Sequence, residues 1–315
     1  MLEILPVFKI SYPEYTVITP QSNREFTIRS LNVQDEERFK SSSLAPNQFA
    51  SHLNNIIWEC IVKKPDDIKT FEDFKAKTTL RDREALIYGL YHVSYKDIND
   101  FDAYCAKCGK NYPVKIDIST CFSMNRYVPE GEMLLEEKID SERVDLDPNP
   151  VEEEVEAGGR DKVKRKVIKE KPSPVINYDE LISKRVALTL SVANNVTAFI
   201  KQPTLLDEET ISRDPLFQST KMQSLGTELM IVDRFEIIPD ATKPDSREKA
   251  IITQLDNKYT LYTKLPSQDR KLITKTYIDT FAKYSISLKV DTVCQFCGEQ
   301  VESSINLIEQ FFRAL

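Results

Sequence analysis

The chain has 315 residues, of which 41% are hydrophobic and 30% are charged, and its formal net charge is −7. This length exceeds one average domain, so the sequence predicts two domains with separate cores. We expect a soluble protein, because the sequence shows neither an apolar run long enough to span a membrane nor a secretory signal. The negative charge argues against binding to a nucleic-acid backbone, which needs a basic face.

The first half begins with short strands over residues 6–29, interrupted by turns at prolines and an asparagine. Apolar residues at helical spacing then predict an amphipathic helix within residues 49–61 and a second helix within residues 80–91. Residues 104–118 follow as a turn with the motif CxxCG and a strand.

Residues 129–175 are predicted to be a charged linker between domains 1–128 and 176–315. Residues 130–156 hold twelve acidic and two basic residues, and residues 160–171 hold seven basic and two acidic ones. With several prolines and almost no aromatic residues, the segment cannot bury enough apolar surface to offset the entropy of ordering it. Two interpretations are open: a solvated connector, and a docking strip for a partner.

The second half shows the same order of features. Alternating residues predict a hairpin over residues 186–200 with a turn at residues 194–195. Helices are expected from Leu205 and from Gln268, and a second CxxCG turn lies within residues 290–308.

Ten positions repeat between the halves: residues 28–37 read IRSLNVQDEE and residues 200–209 read IKQPTLLDEE. Each copy has a capping residue followed three positions later by an aspartate, as in a capping box. These pairs are Asn32 with Asp35, and Thr204 with Asp207. Further along, an Asp-Arg pair precedes an apolar helix in each half, as Asp82-Arg83 and Asp269-Arg270. The pattern predicts an internal duplication.

The motif CxxCG, at Cys105–Gly109 and at Cys294–Gly298, places two sulfurs on one side of a tight turn. One pair supplies half of a tetrahedral zinc site, and two pairs complete it. The predicted ligands are Cys105, Cys108, Cys294 and Cys297. Four thiolates leave no position for a substrate, so this zinc would be structural.

Other interpretations of these cysteines are an iron–sulfur centre, a dithiol redox pair and unrelated buried thiols. Cys60, Cys121, His52 and His92 are further candidates for the ligand set. Four of the six cysteines have metal-binding spacing, which fits a reducing compartment better than a disulfide scaffold.

Catalytic signatures are mostly absent, so the sequence predicts a protein that is not an enzyme and has no small-molecule substrate. It has two histidines and seven glycines, and it lacks a phosphate-binding glycine loop, an HExxH motif and a nucleophile elbow. The Asp-Glu-Glu triplets of the repeat stand at helix starts, where carboxylates complement the helix dipole.

The expected fold class is α+β. Two similar halves, each with short strands, helices and a CxxCG zinc knuckle, form a pseudo-twofold pair that shares one four-cysteine zinc site. The charged linker joins them.

Several stretches resemble the baseplate hub and tail-assembly proteins of T4-like myophages. They are Phe26–Glu37, Leu80–Arg83, Tyr104–Cys108, Cys294–Cys297 and Phe311–Phe312. The resemblance implies a non-enzymatic, structural or assembly role in the baseplate of a contractile tail. It also implies partners among other tail proteins, assembly in the host cytoplasm and a place in the virion.

Two alternatives from other classes are a zinc-ribbon protein that binds nucleic acid or assists transcription, and a CxxC redox protein. DNA binding with a steep salt dependence would favour the first. Thiol turnover without bound metal would favour the second.

The C-terminal residues are predicted to form a partner-binding surface, because chain ends tend to lie at the surface and exposed apolar groups mark interaction sites. These residues are Ile305, Leu307, Ile308, Phe311, Phe312 and Leu315. An ordinary core helix is the competing interpretation.

Overall fold

The computed structural model describes residues 11–41, 46–95, 100–128, 177–217, 220–239 and 249–305. The predicted linker lies outside the described residues, as does the predicted C-terminal surface except for Ile305. Within these ranges, no helix combines the length and the apolar character that crossing a membrane requires.

The first half contains both of its predicted helices, as α2 and α4. In chain order its elements are β1 (Glu14–Ile18), β2 (Glu25–Arg29), α1 (Val33–Ser41), α2 (Pro46–Cys60), β3 (Ile61–Lys63), α3 (Phe71–Lys77), α4 (Leu80–Tyr95), β4 (Asp100–Cys105), β5 (Lys110–Lys115), a 3₁₀ turn (Ile118–Thr120) and β6 (Phe122–Met124). Helix α3 was not predicted; it is short and begins with a capping box at Thr70.

The second half contains the predicted hairpin and both predicted helices, as β7–β8, α6 and α9. Its elements are α5 (Glu180–Ser183), β7 (Arg185–Thr189), β8 (Val196–Lys201), α6 (Leu205–Arg213), a 3₁₀ turn (Pro215–Phe217), α7 (Thr220–Met230), β9 (Val232–Ile237), β10 (Ala250–Ile252), α8 (Leu255–Lys264), α9 (Ser267–Tyr277), a π-helical turn (Ile278–Ala282), β11 (Ile286–Val293) and β12 (Gln300–Ser304). The mixed class of helix and sheet is confirmed.

Apart from α5, β6 and β10, the described elements of both halves follow one order: a hairpin, two helices, a strand, two helices and a CxxCG hairpin. They also share an irregularity. The register of β2 on β3 shifts between Thr27 and Ile28, and that of β8 on β9 shifts between Phe199 and Ile200. Ile28 and Ile200 are the first residues of the two copies of the ten-residue repeat, so the two register shifts fall at equivalent positions. The common origin of the halves and their twofold relation stay predictions.

A buried aspartate holds the first turn of each half in place. The Asp82 carboxylate accepts the backbone N–H of Gln21 at 2.9 Å. The Asp269 carboxylate accepts the N–H groups of residues 191–193 at 2.9 to 3.0 Å. Both aspartates belong to the Asp-Arg pairs of the sequence, so each pair connects a helix start to the hairpin that precedes it.

The halves have separate cores that exchange residues. The first core includes Leu205 and Leu288 from the second half, and the second core includes Tyr127 from the first half. Strand β6 pairs with β11, so one sheet, of order β12-β11-β6, contains strands of both halves. The described residues up to Tyr127 and those from Tyr178 onward therefore belong to one compact unit. The predicted domain boundaries stay a prediction.

The residues that flank the predicted linker meet at one place. The Tyr127 hydroxyl donates to the Glu180 carboxylate at 2.5 Å. Arg24 is fully buried and donates to the Asp179 carboxylate at 2.6 Å and to the Asp67 carboxylate at 2.7 Å. The fold therefore fixes both flanks on the first half, close to each other.

We expect that residues 129–176 can be replaced by a flexible Gly/Ser linker of about ten residues without unfolding the protein. The contacts of Tyr127 and Asp179 already hold the two ends of the replaced segment near each other, so a short linker can connect them. Calorimetry should give a Tm within a few degrees of the wild type. Arg24→Ala is the control, because it removes a fully buried guanidinium together with its hydrogen bonds to Asp67 and Asp179, and it should lower the Tm clearly. A large loss for the linker variant would show that the replaced segment packs on the fold.

Candidate metal centre

Two hairpins carry the CxxCG motifs. Strands β4 and β5 pair as far as Cys105, and strands β11 and β12 pair as far as Val293. In each turn the glycine N–H donates to the carbonyl of the first cysteine at 2.8 Å. The φ angles are 68° at Gly109 and 71° at Gly298, in the left-handed region that glycine adopts without strain. The last residue of the motif thus makes the turn.

The four predicted ligands converge. The sulfurs of Cys105, Cys108, Cys294 and Cys297 all lie within 4.8 Å of one another. Two close approaches cross between the hairpins: 3.6 Å from the Cys105 sulfur to the Cys297 sulfur and 3.7 Å from the Cys108 sulfur to the Cys294 sulfur. A tetrahedral site with Zn–S bonds of about 2.3 Å has sulfur–sulfur edges of about 3.8 Å. The cluster therefore has the dimensions of a single-ion site.

These distances separate the competing interpretations. A disulfide would bring two sulfurs to about 2.05 Å, and all six cysteines are free. In a 2Fe–2S or 4Fe–4S cluster the four cysteines are divided among several irons, so sulfurs bound to different irons lie farther apart than sulfurs around one ion. The donor set and its spacing fit zinc or another single thiophilic ion.

Backbone N–H groups point at sulfurs from equivalent positions of both turns. The Lys110 N–H bonds the Cys108 sulfur, and the Glu299 N–H bonds the Cys297 sulfur. Burial raises the pKa of the Cys294 thiol, but backbone N–H groups of its own turn and the Cys297 and Cys108 side chains lower it by more, to about 7. The pKa of the Cys108 thiol is raised, first by burial, and the Glu299 N–H lowers the pKa of the Cys297 thiol, but burial and the neighbouring thiols raise it by more. Backbone N–H donors stabilise the thiolate, which is the form that binds metal.

A small apolar cluster surrounds the sulfurs. Cys105 and Cys294 are buried together with Ala103 and Tyr112. The Tyr112 hydroxyl also lies 2.7 Å from the Thr292 hydroxyl, which joins the two hairpins by a hydrogen bond. The hairpins thus form a small core of their own, separate from the two larger ones.

Two contacts across the centre were missing from the sequence prediction. Lys107 forms an ion pair with Glu299, and the Lys110 ammonium lies 4.6 Å from the centre of the Phe296 ring. Each CxxCG hairpin carries charged residues, and the second motif includes an aromatic residue. Such residues are too common in loops for the sequence to predict which of them contact each other. Both contacts are exposed and contribute little to stability.

The four further candidates lie elsewhere, and the cysteine cluster does not include them. Cys60 is in the first core, where burial raises the pKa of its thiol to about 12. The Cys121 sulfur lies 3.7 Å from the carbonyl oxygen of Asp117. The His52 Nε2 lies 3.1 Å from the carbonyl oxygen of Arg38. His92 packs against Tyr15, with 4.6 Å between the ring centroids.

Residues 12–145 match a family model described as T4 bacteriophage base plate protein. The matched range contains the first hairpin, with Cys105 and Cys108, and ends before the second half. The match confirms the predicted resemblance to T4-like baseplate proteins, although its description does not specify the hub. No curated protein and no solved structure gave a significant match to the chain.

Replacing Gly109 or Gly298 by valine should destabilise the protein by about 1–2 kcal/mol, since a side chain at positive φ meets its own backbone. Asparagine tolerates this conformation and should cost less. A Cβ at either position meets nothing within 4 Å, so the effect would come from the backbone alone. Urea unfolding of the two variants at each position measures the difference. Equal losses for asparagine and valine would contradict the backbone explanation.

Proposed function

Because residues 12–145 match the T4 bacteriophage base plate protein family, we propose that the chain is a subunit or assembly factor of the baseplate hub in a contractile phage tail. It works in the virion tail after assembly in the host cytoplasm. It acts through contacts with other tail proteins and not through catalysis. The observation that carries the proposal is the family match, which spans the described elements of the first half up to the first CxxCG hairpin.

The second part of the proposal is a structural zinc ion that holds the two halves together. Its ligands are Cys105, Cys108, Cys294 and Cys297. The two inner cysteines are 186 positions apart in the chain, yet their sulfurs lie 3.7 Å from each other. Zinc binding of this type contributes on the order of 10 kcal/mol to the folded state. Four protein ligands fill the coordination sphere, so the ion supports the architecture and does not activate a substrate.

The third part is that residues 177–305 are a second copy of the architecture in the first half. The shared order of elements, the equivalent register shifts and the two buried aspartates support it. A duplication also explains why the cysteines come in two matched pairs, since each copy brings one CxxCG hairpin. The family likeness of the first half would then extend to the second.

We expect one zinc ion per purified chain by elemental analysis. Cys108→Ser and Cys297→Ser should each lose the ion and lower the Tm by at least about 10 °C, given the free energy that structural zinc contributes. Cys121→Ser is the matched control, because its sulfur lies outside the cluster and should leave zinc content and Tm unchanged. Stoichiometric iron would replace zinc in this proposal, and a metal-free protein that turns over thiols would refute it.

The baseplate role is tested in a phage whose copy of this gene carries a stop codon. We expect tails without complete baseplates under electron microscopy and a loss of plaques, both restored when the wild-type chain is supplied. Mass spectrometry of purified virions then distinguishes a subunit, which is present, from an assembly factor, which is absent. Normal tails and full infectivity without the protein would contradict the proposal.

A further inference from the structure

Helix α6 of the second half docks on α2 and α3 of the first half. Its first residue, Leu205, is fully buried and belongs to the core of the first half. The Leu205 N–H also donates to the carbonyl of Thr78 at 3.0 Å. An apolar anchor and a backbone hydrogen bond therefore fix the start of α6 on the neighbouring half.

Two carboxylates complete this docking. Glu208 accepts a hydrogen bond from the Arg83 guanidinium at 2.9 Å. Glu209 pairs with the Lys75 ammonium at 2.8 Å, with both side chains nearly buried. Breaking such a buried pair is strongly destabilising, so these charges also set the register of α6 on the first half.

Helix α1 is the counterpart of α6 in the repeat, but it does not repeat this docking. The repeat aligns Val33 with Leu205 and Glu36 with Glu208. Val33 is 72% exposed, whereas Leu205 is fully buried. Glu36 accepts a bond from the Tyr95 hydroxyl within its own half. Helix α1 thus presents the apolar Val33 at the surface beside a partly exposed Glu36, whereas Asp35 of the same first turn is buried.

The counterpart of the docking surface is also open. Arg270 follows the buried Asp269 as Arg83 follows the buried Asp82. Beside Arg270 lies a pocket of about 410 Å³, which we call the α9 pocket. Its lining residues are Glu228, Ser267, Arg270, Lys271, Thr274, Lys275 and Ile278.

The α9 pocket is basic and has an apolar rim. Among the described residues, Arg270, Lys271 and Lys275 form no ion pair, and the Nε of Arg270 is buried without a hydrogen-bond partner. The carboxylate of Glu228 is engaged by a hydrogen bond from the Tyr262 hydroxyl at 2.7 Å. The pocket therefore offers cations to an incoming carboxylate, and Ile278, 51% exposed, offers an apolar contact.

We propose that the α9 pocket binds α1 of a second copy of this chain, with Glu36 at Arg270 and Val33 beside Ile278. The contact would repeat between chains what Glu208 and Arg83 do within one. Each copy carries one α1 and one α9 pocket, so the interface is head to tail and builds rings or longer assemblies. The inference rests on the proposed duplication of the architecture, and it depends on neither the zinc ion nor the baseplate role.

Sedimentation velocity over a concentration series of the zinc-loaded full chain tests the proposal. The wild type should form larger species as its concentration rises. Glu36→Lys and Arg270→Glu should each weaken association by at least about 30-fold, as expected for a charge pair lost from an interface. Lys264→Glu, a charge reversal on α8 outside the pocket lining, is the control and should associate like the wild type.

Mixing the two variants gives the decisive result. The Glu36→Lys chain keeps an intact α9 pocket and the Arg270→Glu chain keeps an intact α1, so an equimolar mixture should form at least dimers, and it should form larger species where the two reversed charges also attract each other. If Arg270→Glu misfolds by circular dichroism, Lys271→Glu combined with Lys275→Glu replaces it. A wild type that stays monomeric, or a mixture that stays monomeric, would overturn the proposal. So would capture of another tail protein, and not of this chain, by the α9 pocket.

Discussion

The convergence of four sulfurs constrains the rest of the structure. Cys105 ends β4 in the first half and Cys294 directly follows β11 in the second half, and each hairpin has to present its turn at the same point. Four thiolates this close repel one another unless a cation lies between them, because like charges in one site raise each other's pKa. The proposed metal binding would therefore couple to the packing of the hairpins, and the hydrogen bond between the Tyr112 and Thr292 hydroxyls depends on the same alignment.

Local features were predictable because neighbouring residues determine them. The glycines of the CxxCG turns adopt positive φ, and the predicted capping box at Thr204 and Asp207 is confirmed. Helices α2 and α4 show apolar residues at helical spacing. Helices α3 and α8 were missed because they are short, with many charged or polar residues, and tertiary contacts decide their stability. Strands β9 and β10 were missed for a similar reason, since neighbouring strands satisfy their hydrogen bonds.

The Asp-Glu-Glu triplets show where a sequence repeat stops being informative. The sequence assigns both to the helix dipole, and the aspartates do occupy first turns. In α6, however, Glu208 and Glu209 also form ion pairs with Arg83 and Lys75 of the other half. In α1 the equivalent Glu36 bonds within its own half. A repeat specifies local capping equally in both copies, whereas the tertiary partner depends on residues far away in the chain.

Two of the contacts that join the halves would differ in their dependence on metal. The hairpin contact rests on a small core around four cysteines, which a bound ion stabilises. The α6 contact depends on the buried Leu205 and on the ion pair between Lys75 and Glu209. None of these residues is a proposed metal ligand. Removing the metal removes only the first kind of stabilisation. The hairpins should then loosen before the halves separate, because α6 stays anchored in the first core.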